Sequence, residues 1–304
     1  MHYDTLIIGS IAQDTNIDYG GEIMNVYGGA VYYAGYSGAA VGVKAAVLAK
    51  GNTDEVDFPA LFAGAKGLDV YPVHSPENNR ITNTYTTPDR ETRISVQPSC
   101  STPFTLEEIP EGVTAETYQL AGMWRGEYSD EFIKELSGRG AVALDIQGIL
   151  RCVDEETREA FFSDWETKHE MLKYIRYLKT DANEARILTG LDDRYEAARL
   201  ILSWGCPEVV ITHHTEVIAA TNEGIWAVPL RPENLSGRTG RGDTTFSAYV
   251  NMRHHNDLPT ALRYAAACVS LKMGAPGPFS GTREDVEAYL ERYYQDVPRA
   301  EKRA

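Results

Sequence analysis

The feature that most constrains this chain is a series of short apolar runs set between helical stretches. Thr5-Leu6-Ile7-Ile8-Gly9, Ala45-Ala46-Val47-Leu48-Ala49, Ala141-Val142-Ala143-Leu144-Asp145 and Val209-Val210-Ile211-Thr212 are too short for ordinary helices and lack polar alternation. Strands of that kind are buried on both faces, as in a parallel sheet covered by helices. Between them lie small-residue or amphipathic stretches. These are Gly28-Gly29-Ala30 through Gly42, Asp130 to Leu136, Asp154 to Leu172, Asn183 to Leu188, Asp193 to Trp204, Thr244 to His254, Thr260 to Met273 and Arg283 to Tyr294. The alternation predicts a doubly wound, mainly parallel α/β sheet.

Two segments break the pattern. Residues 10–27 are polar and contain glycine, and residues 80–96 are rich in Thr, with Pro88-Asp89-Arg90 as a turn. The second predicts a hairpin outside the parallel sheet. Val217–Ala220 and Ile225–Val228 flank Asn222-Glu223-Gly224 as another antiparallel hairpin, and Arg299 to Ala304 reads as a frayed tail. No repeat or linker divides the 304 residues, so a single domain spanning residues 1–304 is expected.

The formal net charge is −15, with no basic stripe, which argues against nucleic acid as a partner. A phosphate bound by so acidic a chain must be met by local donors. No run approaches the ~20 apolar residues of a membrane span. The first residues lack the basic stretch of a signal peptide, so the cytoplasm is expected. Cys100, Cys152, Cys206 and Cys268 form no C-x-x-C pair, which speaks against a zinc site or a disulfide framework. The Walker A, dinucleotide-binding and hydrolase-elbow motifs are all absent. His213-His214 and His254-His255 read as surface residues, because adjacent side chains rarely ligate one ion.

The segment Thr239-Gly240-Arg241-Gly242-Asp243-Thr244-Thr245-Phe246 puts two glycines and an acid at the start of a helix. Backbone N–H groups there converge on negative charge, and glycine lets a phosphate approach closely. Asp243 is out of place for holding an anion, but suits a base that takes the proton of an attacking hydroxyl. An N-cap aspartate on a glycine-rich turn is the simpler alternative. Lys179-Thr180-Asp181-Ala182-Asn183-Glu184-Ala185 offers two carboxylates at another helix start. They suit a hydrated Mg²⁺, or merely favour the helix dipole. Asp14 follows the first strand, and Gly28-Gly29 opens the next helix.

In this order the motifs resemble the ribokinase/PfkB carbohydrate kinases. Thr239 to Tyr249 is similar to their D-T-x-G-A-G-D-x-F signature, without the leading aspartate and with Arg241 between the glycines. Lys179 to Glu184 is similar to their K-x-N-x-x-E segment, with Asp181 for asparagine. Asn83-Thr84-Tyr85, Arg93, Leu144 to Arg151 and Pro276-Gly277-Pro278-Phe279 resemble a branch that includes myo-inositol kinases.

The resemblance implies a three-layer α/β/α sandwich with a small β-lid from about 13–27 and 80–96. It implies transfer of the γ-phosphoryl group of ATP to a hydroxyl of a sugar or polyol. Asp243 is then the base, and Gly240, Arg241 and Gly242 form the anion hole. Asp181 and Glu184 organise Mg²⁺ through water. Asp14, Gly28, Gly29 and Gln147 face the substrate, and Asp145 is a further candidate to reach it. Thr212, Thr239, Ala275 and Pro276 border the nucleotide. Arg151 approaches a phosphate or pairs with an acid. Thr212 is followed by His213-His214-Thr215-Glu216-Val217, without the glycines usual in the family's nucleotide turn. A nucleoside kinase, with Tyr19, Tyr27 or Tyr85 stacking on a base, stays open, as does a sugar-binding sensor without turnover. A homodimer through the lid is a further expectation.

Overall fold

The computed structural model describes residues 1–88, 92–297 and 300–303. The chain opens with β1 (His2–Ser10), β2 (Ala12–Ile17), β3 (Ile23–Gly28), α1 (Ala30–Val41), β4 (Ala45–Gly51), α2 (Phe58–Leu61), β5 (Asp69–His74), β6 (Asn79–Tyr85) and β7 (Arg93–Ser99). Its middle third holds β8 (Thr114–Leu120), α3 (Asp130–Ser137), β9 (Ala141–Asp145), α4 (Gln147–Leu150), β10 (Arg151–Val153), β11 (Ala160–Phe162), α5 (Lys168–Met171), β12 (Tyr177–Asp181), α6 (Ala182–Thr189) and α7 (Arg194–Ser203). It closes with β13 (Glu208–Thr212), β14 (Glu216–Thr221), β15 (Gly224–Pro229), α8 (Arg241–Arg253), α9 (Leu258–Lys272), α10 (Arg283–Tyr293) and β16 (Glu301–Arg303).

Ten strands form the main sheet in the order β16-β15-β14-β13-β12-β9-β8-β1-β4-β5. The run from β13 to β5 is parallel, and β14, β15 and β16 continue it antiparallel. The apolar runs behave as expected: Leu6, Ile7, Ile8, Val47, Leu48, Val142, Leu144, Val209 and Val210 are all fully buried. One face packs under α3, α6 and α7, the other under α8, α9 and α10. The result is the expected α/β/α sandwich.

A second sheet, ordered β3-β2-β6-β7, rises from the carboxyl ends of β1 and β5. Both expected lid segments fall in it. The Asp89-Arg90 part of the expected turn lies outside the described residues.

Two expectations are corrected. Residues 154–172 are not one helix. They form the β10–β11 hairpin, a loop and the single turn α5. The apolar spacing that imitated a helix serves a hairpin fastened to the second sheet, where Val96 bridges Glu159 and the Arg158 carbonyl accepts from Gln97 N at 2.8 Å. The tail does not fray throughout, because Glu301–Arg303 pairs with β15 as an added edge. Strands β5, β8 and β12 were not anticipated. β5 contains Pro72, which a strand tolerates chiefly at a sheet edge, where β5 lies. No helix among the described residues is long and apolar enough to cross a membrane.

Candidate functional site

The carboxyl ends of β9, β12 and β13 deliver Asp145, Asp181 and Thr212 to one edge of the main sheet. In open α/β sheets, ligands bind at this edge. Helix α8 starts over the same edge with Gly240 as its N-cap, at φ 75°, a left-handed conformation open to glycine at little cost. No side chain caps this helix, so its first N–H groups keep their capacity for an anion. A Cβ at Gly240 would overlap the Tyr33 ring of α1, which presses against the turn.

Lys179 lies beneath that turn. Its Nζ would be only 3.2 Å from a Cβ at Gly242, which explains the glycine there. The ammonium is buried and pairs with Asp145 at 3.1 Å and Glu184 at 3.5 Å. Burial works against its charge, but the surrounding carboxylates of Asp145, Glu184, Asp181 and Asp243 win and hold it well above the ordinary lysine range. Asp243, in the first turn of α8, is pushed up to about 6, first by burial and then by the charge of Asp145. Lys179 and Lys272 oppose the shift. A carboxylate near 6 is ionised at neutral pH, yet basic enough to accept a proton in a transition state.

Asp14 stands on β2, opposite Ile81 of β6, on the face of the small sheet that meets the core. Its carboxylate crosses Gly28 so closely that a Cβ there would be 2.7 Å from Oδ2. Oδ1 is buried and finds no hydrogen-bond partner among the described residues. Burial raises Asp14 to about 6, against the pull of Arg151 and Arg93. Gln147 lies nearby: its amide is 4.0 Å from Met123 Sδ, which accepts from the Ala30 N–H that follows Gly29. Tyr33 joins the two ends of the site. Its phenol is kept protonated by burial, then by the charges of Asp14 and Asp243.

On the remaining side, Thr212 pairs in register with Asp181. Lys272, at the end of α9, is buried and donates to the Gly237 carbonyl at 2.6 Å and to the Thr239 carbonyl. Burial lowers it to about 8, while Asp243 opposes the shift. Ala275 and Pro276 are exposed in the following turn. Ala275, Leu271, Pro278, Phe279 and Tyr289 help line a cavity of about 410 Å³. Pro276 is not among its lining residues.

Asp181 and Glu184 are bound into a reciprocal cap. Asp181 Oδ1 accepts from Glu184 N and Glu184 Oε2 from Asp181 N, both at 2.7 Å. Asp181 Oδ2 and Glu184 Oε1 lie outside these bonds. Among the described residues no three His, Cys, Asp or Glu side chains converge to hold a metal. The pair therefore fits a hydrated magnesium ion held through water, and does not fit a caged one.

The sequence singled out Asp243, Gly240 to Gly242, Asp14, Gly28, Gly29, Gln147, Asp181, Glu184 and Thr212, and the fold places them at the carboxyl edge of the main sheet, at the start of α8 and on the adjoining small sheet. Asp145 is not free to reach a ligand directly, since it is buried against Lys179. Three neighbouring side chains were missed. Lys179 was legible only as part of a motif and not as the buried cation under the helix. Tyr33 gave no signal beyond its place after Gly28-Gly29. Lys272 had one, a lysine ending the apolar run Ala265 to Leu271.

No family sequence profile matches the chain. Cytidine kinase of Thermococcus kodakarensis is 23% identical over 260 residues, 81% of this chain and 87% of that protein. A pyrophosphate-dependent kinase in the ribokinase family, solved with a pyrophosphate analogue and myo-inositol, superposes with a TM-score of 0.84. It is 31% identical, over 93% of this chain and 99% of that one. Ribokinase of Arabidopsis thaliana, complexed with ribose and ATP, shares the fold at a TM-score of 0.74 and 17% identity, over 96% of this chain and 99% of that one.

Proposed function

Because this chain belongs to the ribokinase family and is a phosphotransferase with an alcohol acceptor, we propose that it phosphorylates a small cyclic polyol of the myo-inositol type. Pyrophosphate is the first candidate donor. The observation that carries the reading is the Asp243 carboxylate at the uncapped N-terminus of α8, across Tyr33 from Asp14. Asp14 holds the acceptor. Asp243 takes the proton of its hydroxyl, and that oxygen attacks the terminal phosphorus. The bond to the bridging oxygen breaks, and the rest of the donor leaves with the electron pair. The N–H groups of residues 241–243 face the transferring group, and the Lys179 ammonium below Gly242 adds positive potential. Asp181 and Glu184 would hold a hydrated magnesium ion, which supplies neutralisation of polyphosphate charge. Arg241 starts α8 beside this group and adds a second cation.

The donor choice is supported by His213-His214, which stand where a glycine-rich turn would admit a nucleotide, with ring centroids 3.8 Å apart. It is also supported by the 31%-identical relative, a pyrophosphate-dependent kinase. ATP is the second reading, favoured by the 410 Å³ cavity bordered by Ala275. Turnover with magnesium and either donor, against a panel of cyclitols, sugars and cytidine, tests both. Transfer from pyrophosphate exceeding transfer from ATP supports the first reading, and the reverse order supports the second. The small sheet acts as a lid that closes over the acceptor and limits hydrolysis of the donor. Its outer face exposes Ile23 and Tyr27 on the edge strand β3 and Ile94 on the opposite edge strand β7. A second copy pairs there, and sedimentation of Ile23→Lys as a monomer beside a dimeric parent is the expected result.

A further inference from the structure

Tyr33 performs no step in the mechanism above, yet it stands where that mechanism is most sensitive. It lies in the first turn of α1 and is only 6% exposed. The helix that carries it is held at its start and along its side. Its N-cap Gly29, at φ 101°, approaches the end of β1 so closely that a Cβ there would be 2.5 Å from the Ser10 carbonyl oxygen. One residue beyond Tyr33, the Ala34 carbonyl accepts from Ser247 Oγ of α8 at 2.8 Å. Gly38 then leaves α1 room to lie against Ser247 and Asn251 of the same helix. So fastened, α1 acts as a strut that presents Tyr33 to the turn opening α8.

That turn is gripped from two directions. Lys272 donates to the Gly237 carbonyl at 2.6 Å and to the Thr239 carbonyl. The Tyr33 ring supplies the other side, since a Cβ on Gly240 would be 2.2 Å from its Cγ and Cδ1. Ring and ammonium also meet each other. Lys272 Nζ stands 5.4 Å from the ring centroid, within reach of a cation–π attraction. Tyr32 packs edge-on against the same ring at 5.5 Å between centroids, which limits its swing. No side chain caps α8, so the packing of the turn sets where the first N–H groups of the helix point. Donors of this kind stabilise developing charge only if they are aimed before the reaction begins.

We propose that Tyr33 is a positioning residue: its ring, backed by α1 and set against Lys272, fixes the turn of residues 237–240 so that the α8 N–H groups converge on a phosphoryl group. The ring performs this task, and the hydroxyl is dispensable to it. The proposal rests on the kinase reading and adds to it a side chain that acts through the backbone of the turn.

The test compares the intact parent with Tyr33→Phe, which keeps the ring, and Tyr33→Leu, which removes it. Turnover is measured with magnesium, myo-inositol and either pyrophosphate or ATP. Binding of inorganic phosphate alone is followed by phosphorus NMR titration. A displacement of about 1 Å at a reacting centre costs about a hundredfold, so Tyr33→Leu should lower kcat about ten- to a hundredfold. Its acceptor KM should stay within about twofold, and its dissociation constant for inorganic phosphate should rise about tenfold. Tyr33→Phe should restore all three quantities to within about threefold of the parent. Should the leucine variant not fold, Tyr33→Met gives the ring-free measurement. A phenylalanine variant as impaired as the ring-free one would assign the role to the hydroxyl and overturn the proposal. A ring-free variant whose loss lies in the acceptor KM alone would overturn it too. Turnover and phosphate binding that both ignore Tyr33 sink the positioning role and leave the kinase. Phosphate binding that depends on the ring, in a parent that transfers nothing from either donor, sinks the kinase reading and keeps the positioning role.

Discussion

Replacing Asp243 by Asn should separate activity from stability in opposite directions. The side chain keeps its shape and loses its basicity. Removal of a general base lowers kcat by two to four decades, about 3–5 kcal/mol of barrier. Stability follows from the raised carboxyl. A shift from 3.8 to about 6 means that the folded state binds the proton more tightly than the unfolded chain. The penalty is absent below pH 4, grows as pH rises, and is complete above pH 6, at about 3 kcal/mol. The asparagine variant escapes it. Its thermal midpoint at pH 7.5 should therefore exceed that of the parent by several degrees, with the gap closing toward pH 4. Steady-state kinetics and calorimetry across pH measure both. A kcat loss below threefold, or a lower midpoint at pH 7.5, would refute the argument and make Asp243 a structural cap.

The pH profile of kcat should rise through about 6 as Asp243 ionises and fall through about 8 as Lys272 loses the proton that fastens Gly237 and Thr239. Lys272→Met should erase the alkaline limb only, and a surviving limb would reassign it. Gly240→Ala must adopt φ 75° and displace the Tyr33 ring, so kcat/KM should drop at least a hundredfold while far-ultraviolet circular dichroism stays the same. An active variant would show that the turn tolerates a side chain. Asn83→Leu with Ser95→Leu removes the hydrogen bonds that join Asn16, Asn83 and Ser95 across the small sheet. If the small sheet closes over the acceptor, this should lower acceptor kcat/KM about tenfold or more, whereas unchanged steady-state kinetics would remove these residues from acceptor binding.

How much of this was legible followed from how local each signal was. The glycines and acid of residues 240–243 lie within one turn, so the sequence alone suffices to set them at a helix start. Asp14 and Gly28 were legible separately, but not the carboxylate that crosses the glycine. The Lys179 cluster draws on residues 145, 179, 184 and 243, from two strands and two helices, and spacing cannot reveal such a meeting. Arg151 was singled out, but the hairpin that begins with it was hidden for another reason. Strands of three residues such as β10 and β11 are too brief to display a period, and the apolar residues from Phe161 to Leu172 imitate a helical face. The edge strand β5 was masked by its own proline.

The most direct test of the central claim is to watch the product form. The purified chain would be mixed with magnesium, pyrophosphate and myo-inositol and followed by phosphorus NMR, with ATP in a parallel tube. The expected result is a new phosphomonoester signal coupled to a ring proton, growing as the donor signal falls, and absent with Asp243→Asn. Donor signals that stay intact with every acceptor, while calorimetry still registers polyol binding, would contradict it and leave a binding protein on a kinase fold.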